Sequence, residues 1–481
     1  MHPPTELAPL RRHEPFALTP RVLQFGAGNF LRGFFDWQLD LLNERCGLDA
    51  GVVAVRPTGS ARAPLLDLQD GLFTTVIQGL DEAGQPLRET RLITCVQREL
   101  HLDQHYEDYL ALASRPEIRF VVSNTTEAGI QFSDQDRFDD RPPASFPAKL
   151  ARWLYARYQA LGADPASGVY VLPCELIADN GQVLRAAVLQ LAGQWQLESG
   201  FSDWLTRHCH WCSTLVDRIV SGLPAPEQQA ALSAQLGYRD EFMVVAEPFY
   251  LWVIQGPPAL AQELGLARAG LHILLVDDLQ PYKQRKVGLL NGGHTCLVPL
   301  GLLAGLETVG QALAHPGLRR FLTQAMEEDI IPALPLPADA LRPFAQAVLQ
   351  RFANPFIAHR LSAIALNSWS KFAQRVMPQL LHAQALRGHW PPRLLLALAA
   401  TMLLYRGEHL SLADEPRWLA WWRQAWAAHD RGELALATLC SDWLGQTALW
   451  GQDLRQQPGL TAALAASLER LQREGVAALC P

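Results

Sequence analysis

Residues 22–33 read VLQFGAGNFLRG, a short apolar run that leads into a turn with two glycines. Beyond the turn, Phe34, Trp37 and Leu41 recur at three- and four-residue steps, the spacing of one buried helix face. A second apolar run, GVVAV, follows at residues 51–55. The order of strand, glycine-rich turn, helix and strand predicts the opening of a parallel α/β sheet.

The rest of the chain extends this sheet and then changes character. Helical patterns at residues 147–161 and 181–195 separate several further strand candidates. These candidates are residues 73–77, 120–123, 169–172, 242–246 and 273–276. Later, β-branched runs give way to Leu, Ala, Gln and Arg at helical spacing, with prolines between the segments. We therefore predict a doubly wound, Rossmann-type α/β domain over residues 1–277 and an all-helical domain over residues 278–481.

Bulk composition argues against several kinds of partner. The 481-residue chain has a net charge of −7 and no long basic run, so nucleic acid is not expected as a partner. Seven of the fourteen tryptophans lie between Trp390 and Trp450 amid mixed charge, which predicts packing rather than base stacking. The most apolar run, residues 394–405, is too short to span a bilayer and predicts a buried helix.

The cysteines and the N-terminal segment favour the cytoplasm and no membrane. Eight scattered cysteines are typical of a reducing compartment, and the first 16 residues lack the apolar stretch of a secretion signal. The densest cysteine group, HCHWC at residues 208–212, contains potential zinc ligands. A closed zinc site needs four ligands, and no second pair follows at the usual spacing, so we expect no metal.

The glycine turn resembles a dinucleotide-binding fingerprint. Gly26 and Gly28 would permit a tight turn and let a pyrophosphate approach the helix N-terminus. The place of the third glycine is taken by Leu31, and Gly33 follows two residues later, so a simple tight β–α turn is the alternative. The second strand ends at Arg56 without the usual ribose carboxylate. Arg56 would lie against adenine, meet a 2′-phosphate or be a solvated surface arginine, which leaves NAD and NADP both open.

Two other strand ends carry polar side chains. Ligands of open α/β sheets bind beyond the carboxyl ends of the strands. Asn124, Thr125 and Thr126, which follow the strand at 120–123, are therefore candidates for the nicotinamide side of the crevice, or for a helix cap. Asn180 follows the strand at 169–172 and would either offer an amide N–H to the reacting oxygen or simply form a turn.

The sequence RKVGLLNGGHT contains Lys286, Asn291 and His294. On an ideal helix, at about 100° per residue, Asn291 lies about 140° from Lys286 and His294 lies between them at about 80°. All three side chains would then face one pocket, where a lysine that moves a proton beside two polar groups suits alcohol–ketone chemistry. The alternative is an ordinary amphipathic helix surface. Further on, Lys371 and Arg375 place positive charge in an apolar helical segment, which would suit an anionic substrate or be plain surface charge.

Together these segments resemble the mannitol dehydrogenase family of polyol-specific long-chain dehydrogenases, whose hallmark is Lys-x4-Asn-x2-His. The resemblance runs from about residue 21 to 380 and is closest to members that reduce tagaturonate to altronate. Besides the hallmark, the matching stretches are QFGAGNFLRGFFDWQLDLLNE, GVVAVRPT, SNTTEAGI, SFPAKL, PCELIADNG, CSTLVDRIV, LLVDDLQPYK, RFANPFIAHRLSAIALNS and SKF.

The resemblance implies a metal-independent, NAD(H)-dependent enzyme whose active site draws on both domains. Lys286 would be the acid–base residue, Asn291 and Asn180 would hold the carbonyl oxygen, and His294 would orient the substrate. We add the hypothesis that Lys371, with Arg375, grips the uronate carboxylate. The residues implied to bind the dinucleotide are Val22, Gln24, Phe25, Gly26, Ala27, Gly28, Asn29, Phe30, Leu31, Arg32 and Gly33.

Other identities stay open at this point. A family member that reduces fructuronate or a neutral keto-sugar would differ only in the end group and hydroxyl that its pocket accepts. A non-catalytic nucleotide-binding sensor is more remote, because the lysine, asparagine and histidine are all present. The expected partner is a small uronate or aldonate, and the expected assembly is a monomer or a small homo-oligomer.

Overall fold

The computed structural model describes residues 7–56, 65–81, 83–125, 127–357, 359–407 and 412–480. The chain divides into two compact units. The N-terminal unit comprises Met1–Gln78 and Pro86–Leu279, and the C-terminal unit comprises Gly79–Gln85 and Gln280–Pro481.

The strands are numbered here in chain order. They are β1 Pro20–Phe25, β2 Gly51–Arg56, β3 Phe73–Leu80, β4 Pro86–Ile93, β5 Val96–His101, β6 Phe120–Ser123, β7 Tyr170–Pro173, β8 His210–Trp211, β9 Ser213–Asp217, β10 Val220–Gly222, β11 Val244–Ala246, β12 Leu251–Gln255 and β13 Ile273–Val276.

Six of these strands form a parallel sheet in the order β5-β2-β1-β6-β7-β8. Counted within this sheet the order is 3-2-1-4-5-6, which is the order of a Rossmann fold and confirms the predicted doubly wound architecture. Successive residues of β1 face opposite layers: Val22 joins one apolar core, and Leu23 and Phe25 join the other. Because both faces are covered, the strands are continuous apolar runs. The chain reverses direction across the sheet between β1 and β6, where such folds bind ligands.

Three predicted strands lie outside this sheet, which corrects its expected extent. β3 and β11 belong to a four-stranded sheet of order β10-β11-β3-β4, and β13 belongs to a three-stranded sheet of order β13-β12-β9. The doubly wound sheet therefore ends at Trp211 rather than near residue 277. An apolar run shows that a strand is buried, but it does not show which strand lies beside it.

The α-helices are likewise numbered in chain order. They are α1 Asn29–Leu31, α2 Trp37–Cys46, α3 Leu102–Ala111, α4 Phe146–Leu161, α5 Asn180–Gln194, α6 Ser199–Arg207, α7 Pro226–Leu236, α8 Pro258–Glu263, α9 Leu266–Ala269, α10 Gln280–Arg285, α11 Gly292–Leu303, α12 Val309–Ala314, α13 Pro316–Gln324, α14 Ala338–Phe352, α15 Leu361–Ile364, α16 Ser368–Arg375, α17 Met377–Arg387, α18 Pro392–Leu404, α19 Pro416–Asp430, α20 Leu436–Leu444, α21 Thr447–Trp450 and α22 Leu460–Leu479.

Irregular helices complete the inventory. Among the described residues, three segments are π-helical: Arg32–Asp36, Lys286–Asn291 and Ala325–Ile330. The 3₁₀ turns are Leu66–Gln69, Leu112–Ser114, Glu127–Ile130, Pro165–Ser167, Ile331–Ala333 and Leu454–Gln456. The predicted helices at 147–161 and 181–195 correspond to α4 and α5. Ser145 caps α4 by accepting the Ala148 N–H, and Gly162 ends it.

The C-terminal unit is helical, as predicted. Apart from one isolated bridge between Thr308 and Arg360, its described residues after 280 contain helices and turns without strands. The apolar run at 394–405 forms the buried helix α18. Across the described parts of the chain, no helix combines the length and apolar character that crossing a membrane requires.

The tryptophan-rich segment packs a core, as predicted. The ring of Trp443 lies 4.4 Å from that of Trp369 and 4.6 Å from that of Trp422, measured between centroids. All three side chains are less than 2% exposed. Their large apolar area therefore stabilises the helical unit.

Candidate active site

The glycine turn after β1 is shaped to leave its outer side open. Gly26 has a φ of +111°, and a Cβ there would lie 3.2 Å from the carbonyl oxygen of Asn124, so the turn requires glycine. A Cβ on the exposed Gly28 would meet no atom within 4 Å. The helix then begins at Asn29 with no side chain capping its N–H groups. Open space beside uncapped helical N–H groups fits a dinucleotide pyrophosphate.

The missing third glycine has a structural substitute. Leu31 is buried, while a Cβ on Gly33 would lie 2.8 Å from Cγ1 of Val220. Gly33 therefore lets the helix pack closely on β10, the kind of close packing that the third fingerprint glycine usually permits. The Arg218 guanidinium donates to the Gly33 carbonyl at 2.9 Å and holds the helix in this position.

Only part of the predicted cofactor segment presents its side chains at the surface. Residues 26–30 are at least partly exposed. The side chain of Gln24 donates to the Gly26 carbonyl at 3.0 Å, and Arg32 donates to Asn29 Oδ1 at 2.7 Å and to the Phe242 carbonyl. These buried side chains brace the turn from inside. The buried members of the predicted set are Val22, Gln24, Phe25, Leu31, Arg32 and Gly33.

A buried carboxyl group lies behind the turn. Gln24 Nε2 also contacts Asp36 Oδ2 at 3.4 Å, and Asp36 is fully buried. Burial raises the pKa of Asp36 to about 7, although Gln24 and Arg32 act in the opposite direction and Asp40 adds to the rise. The neutral acid is therefore the form that the folded state favours.

We expect Asp36→Asn to stabilise the protein at about pH 8 and to leave stability at about pH 4 nearly unchanged. A folded-state pKa above the unfolded value gives stability that is complete below the unfolded pKa. That stability is lost as the pH rises through the folded pKa, here about 7. The increase in the free energy of unfolding at about pH 8 should be on the order of 4 kcal/mol. Urea unfolding at both pH values measures it, and an equal effect at the two values would contradict the assignment.

The carboxyl end of β6 is organised by a residue that the sequence did not single out. Glu175 is 2% exposed and accepts from the Thr125 N–H at 2.9 Å, from the Thr125 hydroxyl at 3.0 Å and from the Ser123 hydroxyl at 3.1 Å. Asn124 Nδ2 donates to the Cys174 carbonyl at 2.9 Å. Burial raises the pKa of Glu175. A carboxylate two residues after the buried strand β7 was the available signal. Thr126 lies outside the described residues.

In the structure the Asn180 amide bonds to the backbone, whereas the sequence suggests donation to the reacting oxygen. Its Nδ2 donates to the carbonyls of Pro173 and Glu175 at 3.0 Å and of Thr214 at 3.2 Å. Its Oδ1 accepts the N–H groups of Gly181 and Thr214 at 2.9 Å. The side chain is fully buried, so both amide hydrogens are already engaged by the backbone. Asn180 instead joins the start of α5 to the end of β7 and the start of β9.

Arg56 forms a salt bridge and is not a solvated surface arginine. Its Nε and one terminal nitrogen each lie 2.8 Å from Glu99 Oε1, and its side chain is 19% exposed. Glu99 on the neighbouring strand β5 is buried. A dinucleotide that contacted Arg56 would therefore meet a guanidinium that is already paired with Glu99.

Two cysteines of the HCHWC segment are ordinary buried thiols. Cys209 and Cys212 are 4% and 1% exposed, and burial raises the pKa of each to about 12. Within the described ranges, no group of three or more His, Cys, Asp or Glu side chains is placed to hold a metal ion.

The Lys286–Asn291 segment is π-helical, which corrects the ideal-helix geometry assumed for it. In a π-helix the carbonyl of residue i accepts from the N–H of residue i+5, so residues five apart lie one above the other. Lys286 and Asn291 are therefore closer in direction than an α-helix would place them, and both are half-buried. Gly292 lets the Arg375 carbonyl approach to 3.3 Å from where a Cβ would be, which brings α16 to this segment.

His294 is held neutral in a cationic environment. Its ring stacks on Phe352 with centroids 3.8 Å apart and meets His359 edge-on at 5.1 Å. Burial, and next the charges of His359 and Arg351, keep the pKa of His294 well below its usual value. Its Nε2 is buried and has no hydrogen-bond partner among the residues that the structure describes. A neutral imidazole with one unused nitrogen can orient a substrate hydroxyl.

Lys371 and Arg375 lie on the same face of α16, four residues apart. Both are half-buried, and their charges also act on His294. Lys371 Nζ donates to the Ile364 carbonyl at 2.8 Å. Burial lowers the pKa of both groups, and Arg375 lowers that of Lys371 further. The C-terminal unit therefore brings two cations to the histidine of the Lys-x4-Asn-x2-His motif, and neither is plain surface charge.

Each half of the chain matches a domain of one known protein family. Residues 20–268 match the mannitol dehydrogenase Rossmann domain, and residues 278–472 match the mannitol dehydrogenase C-terminal domain. Altronate oxidoreductase of Yersinia enterocolitica is 49% identical over 462 residues, covering 95% of each chain. The Klebsiella pneumoniae (strain 342) altronate oxidoreductase is 49% identical over 479 residues, covering 98% of this chain and 99% of that one.

Solved structures share the fold. A substrate-free D-sorbitol dehydrogenase gives a TM-score of 0.79 at 22% identity and covers 100% of this chain and 98% of that one. The Pseudomonas fluorescens mannitol 2-dehydrogenase, in ternary complex with NAD and D-mannitol, gives 0.67 at 24% identity and covers 98% and 95%. With both domain types present in order and full-length relatives at 49% identity, the chain belongs to the mannitol dehydrogenase family.

Proposed function

We propose that this chain is a cytoplasmic, NADH-dependent oxidoreductase that reduces D-tagaturonate to D-altronate and catalyses the reverse oxidation. The observation that carries this proposal is the pair of half-buried cations, Lys371 and Arg375, beside the Lys-x4-Asn-x2-His motif. A substrate with a carboxylate suits them better than a neutral polyol does. The identity to altronate oxidoreductases supports the same choice.

The N-terminal unit would hold the dinucleotide. Residues 26–30 leave open space beside uncapped helical N–H groups, which fits the pyrophosphate, and Asn124 and Thr125 follow the adjacent strand of the switch point. When bound, NADH supplies the hydride that reduces the ketone carbon.

The C-terminal unit would supply the proton and bind the carbonyl oxygen of the substrate. Lys286, as an ammonium, donates its proton to the carbonyl oxygen as negative charge grows there, and in reverse the neutral amine accepts the alcohol proton. The Asn291 amide donates a hydrogen bond to the same oxygen. His294 is held neutral, so it positions a substrate hydroxyl rather than supplying the proton. Asn180 has no part in this step, because its amide hydrogens are engaged by the backbone.

Lys371→Met is expected to raise KM for tagaturonate by about tenfold or more, since a charge-assisted hydrogen bond to a carboxylate contributes about 1.5–3 kcal/mol. The kcat/KM for fructose, which has no carboxylate, should change by less than about threefold. Lys283→Met on α10 is the matched control, because it removes the same charge from a different helix. An equal loss of kcat/KM for tagaturonate and for fructose would show that Lys371 does not recognise the carboxylate.

A substrate panel tests the proposed function as a whole. The rate of NADH oxidation is measured with tagaturonate, fructuronate and fructose at equal concentrations. Tagaturonate is expected to give the highest kcat/KM. A higher value with fructuronate or fructose would assign the enzyme to another branch of the family, and no turnover with any of the three would contradict enzymatic activity on these substrates.

A further inference from the structure

The carboxyl end of β2 carries a salt bridge with a buried partner. Glu99 on β5 lies in register with Ala54 on β2, and Arg56 follows two residues later, so both side chains point to the same face of the sheet. Arg56 Nε and Nη2 both lie 2.8 Å from Glu99 Oε1. Glu99 Oε2 accepts the Leu66 N–H at 2.8 Å. The second bond keeps the carboxylate from rotating away from the guanidinium.

This position is chemically significant in a Rossmann sheet. The end of the second strand lies where the adenosine ribose binds, and a carboxylate there holds the 2′-hydroxyl of NAD, whereas a nearby arginine accommodates the 2′-phosphate of NADP. The residue here is a cation, Arg56, and its charge by itself would favour NADP. The buried carboxylate of Glu99 opposes that charge within hydrogen-bond distance.

We propose that Glu99 determines the preference for NAD over NADP by engaging Arg56. A 2′-phosphate would have to compete with Glu99 for the Nε–Nη2 edge of the guanidinium, the edge suited to two parallel bonds with an anion. It would also bring its own negative charge towards a carboxylate that water does not screen. A ribose 2′-hydroxyl meets neither cost. This inference rests on the proposed use of a nicotinamide dinucleotide.

A second cation near this pair, Arg32, does not replace Arg56. Arg32 interacts electrostatically with both Arg56 and Glu99. However, its guanidinium donates to Asn29 Oδ1 and to the Phe242 carbonyl, and the residue is 8% exposed. Its hydrogen bonds are directed into the protein, so Arg32 does not offer its guanidinium to a 2′-phosphate.

Glu99→Gln tests the proposal. The glutamine keeps an oxygen for the Leu66 N–H and removes the negative charge. Dissociation constants for NADH and NADPH are measured on the substrate-free protein by titration calorimetry. We expect the NADPH-to-NADH ratio of dissociation constants to fall by about tenfold, since Arg56 can then bind the 2′-phosphate. In the double variant Arg56→Gln/Glu99→Gln, the ratio should return to within about twofold of wild type.

Arg56→Gln alone provides a test that does not need the Glu99 variant to fold. Arg56→Gln leaves the buried Glu99 carboxylate without its cation, so NADPH binding should weaken at least as much as NADH binding. A selective gain of NADPH binding in this variant would overturn the proposal. An unchanged NADPH-to-NADH ratio of dissociation constants in a Glu99→Gln protein with the wild-type melting temperature would also overturn it. A gain in NADPH binding that persists in the double variant would do the same. If wild type bound neither dinucleotide, the proposed function itself would fail, which is a distinct result.

Discussion

Lys286→Met is expected to lower kcat for tagaturonate reduction by about 10³-fold, because a positioned general acid contributes about 10²–10⁴-fold to such a step. Methionine keeps the length of the side chain and removes the exchangeable proton. The NADH dissociation constant should stay within about twofold of wild type, since the turn proposed to hold the dinucleotide belongs to the N-terminal unit. Steady-state kinetics and titration calorimetry measure the two quantities separately.

The control is Lys283→Met, which removes a lysine one helical turn before Lys286. We expect it to keep kcat within about threefold of wild type, as a surface charge change usually does. A Lys286→Met enzyme with wild-type kcat would contradict the acid–base role. A comparable loss of kcat in both variants would mean that the helical stretch from Gln280 to Asn291 matters for folding or binding rather than for proton transfer.

Asn180→Ala is expected to lower the free energy of unfolding by about 3 kcal/mol or more, because each buried polar group left without a partner costs about 1–3 kcal/mol. The alanine would leave three carbonyls and two N–H groups without the amide. The space cannot be closed by a shift of α5, since Gly181 already packs tightly against the Cys212 carbonyl. The melting temperature should fall by roughly 10 °C.

Asn180→Asp distinguishes the structural role from a catalytic one. Aspartate retains an oxygen for the N–H groups of Gly181 and Thr214, but it directs a carboxylate at three carbonyl oxygens. We expect it to be at least as destabilising as alanine, and the folded fraction of either variant to keep kcat within about tenfold of wild type. A normal melting temperature with a loss of kcat beyond about 10²-fold would restore the predicted role in holding the oxygen.

Features with a local pattern could be predicted from the sequence. The β1–turn–β2 unit follows from two apolar runs and a glycine turn, and α4 follows from its cap and helical spacing. The Lys-x4-Asn-x2-His spacing drew attention to a segment where the structure has a π-helix, although an apolar period does not reveal i→i+5 bonding. The all-helical second half was clear because β-branched runs end there.

Features that depend on distant partners could not be predicted. The Nδ2 of Asn180 reaches the Thr214 carbonyl, and Arg56 pairs with Glu99, 43 residues away. Nothing in the sequence around Asn180 or Arg56 indicates that Thr214 or Glu99 will be its partner. For the same reason the sequence does not assign β3, β11 and β13 to their sheets, since burial of an apolar run is local and the choice of neighbouring strand is not.

The most direct test of the central claim follows the hydride and the product together. The enzyme is incubated with tagaturonate and NADH that carries deuterium at the transferable position of the nicotinamide, and the product is examined by mass spectrometry and NMR. We predict altronate with one deuterium on the former ketone carbon, in a yield equal to the NADH consumed. Consumption of NADH without labelled altronate would contradict the account.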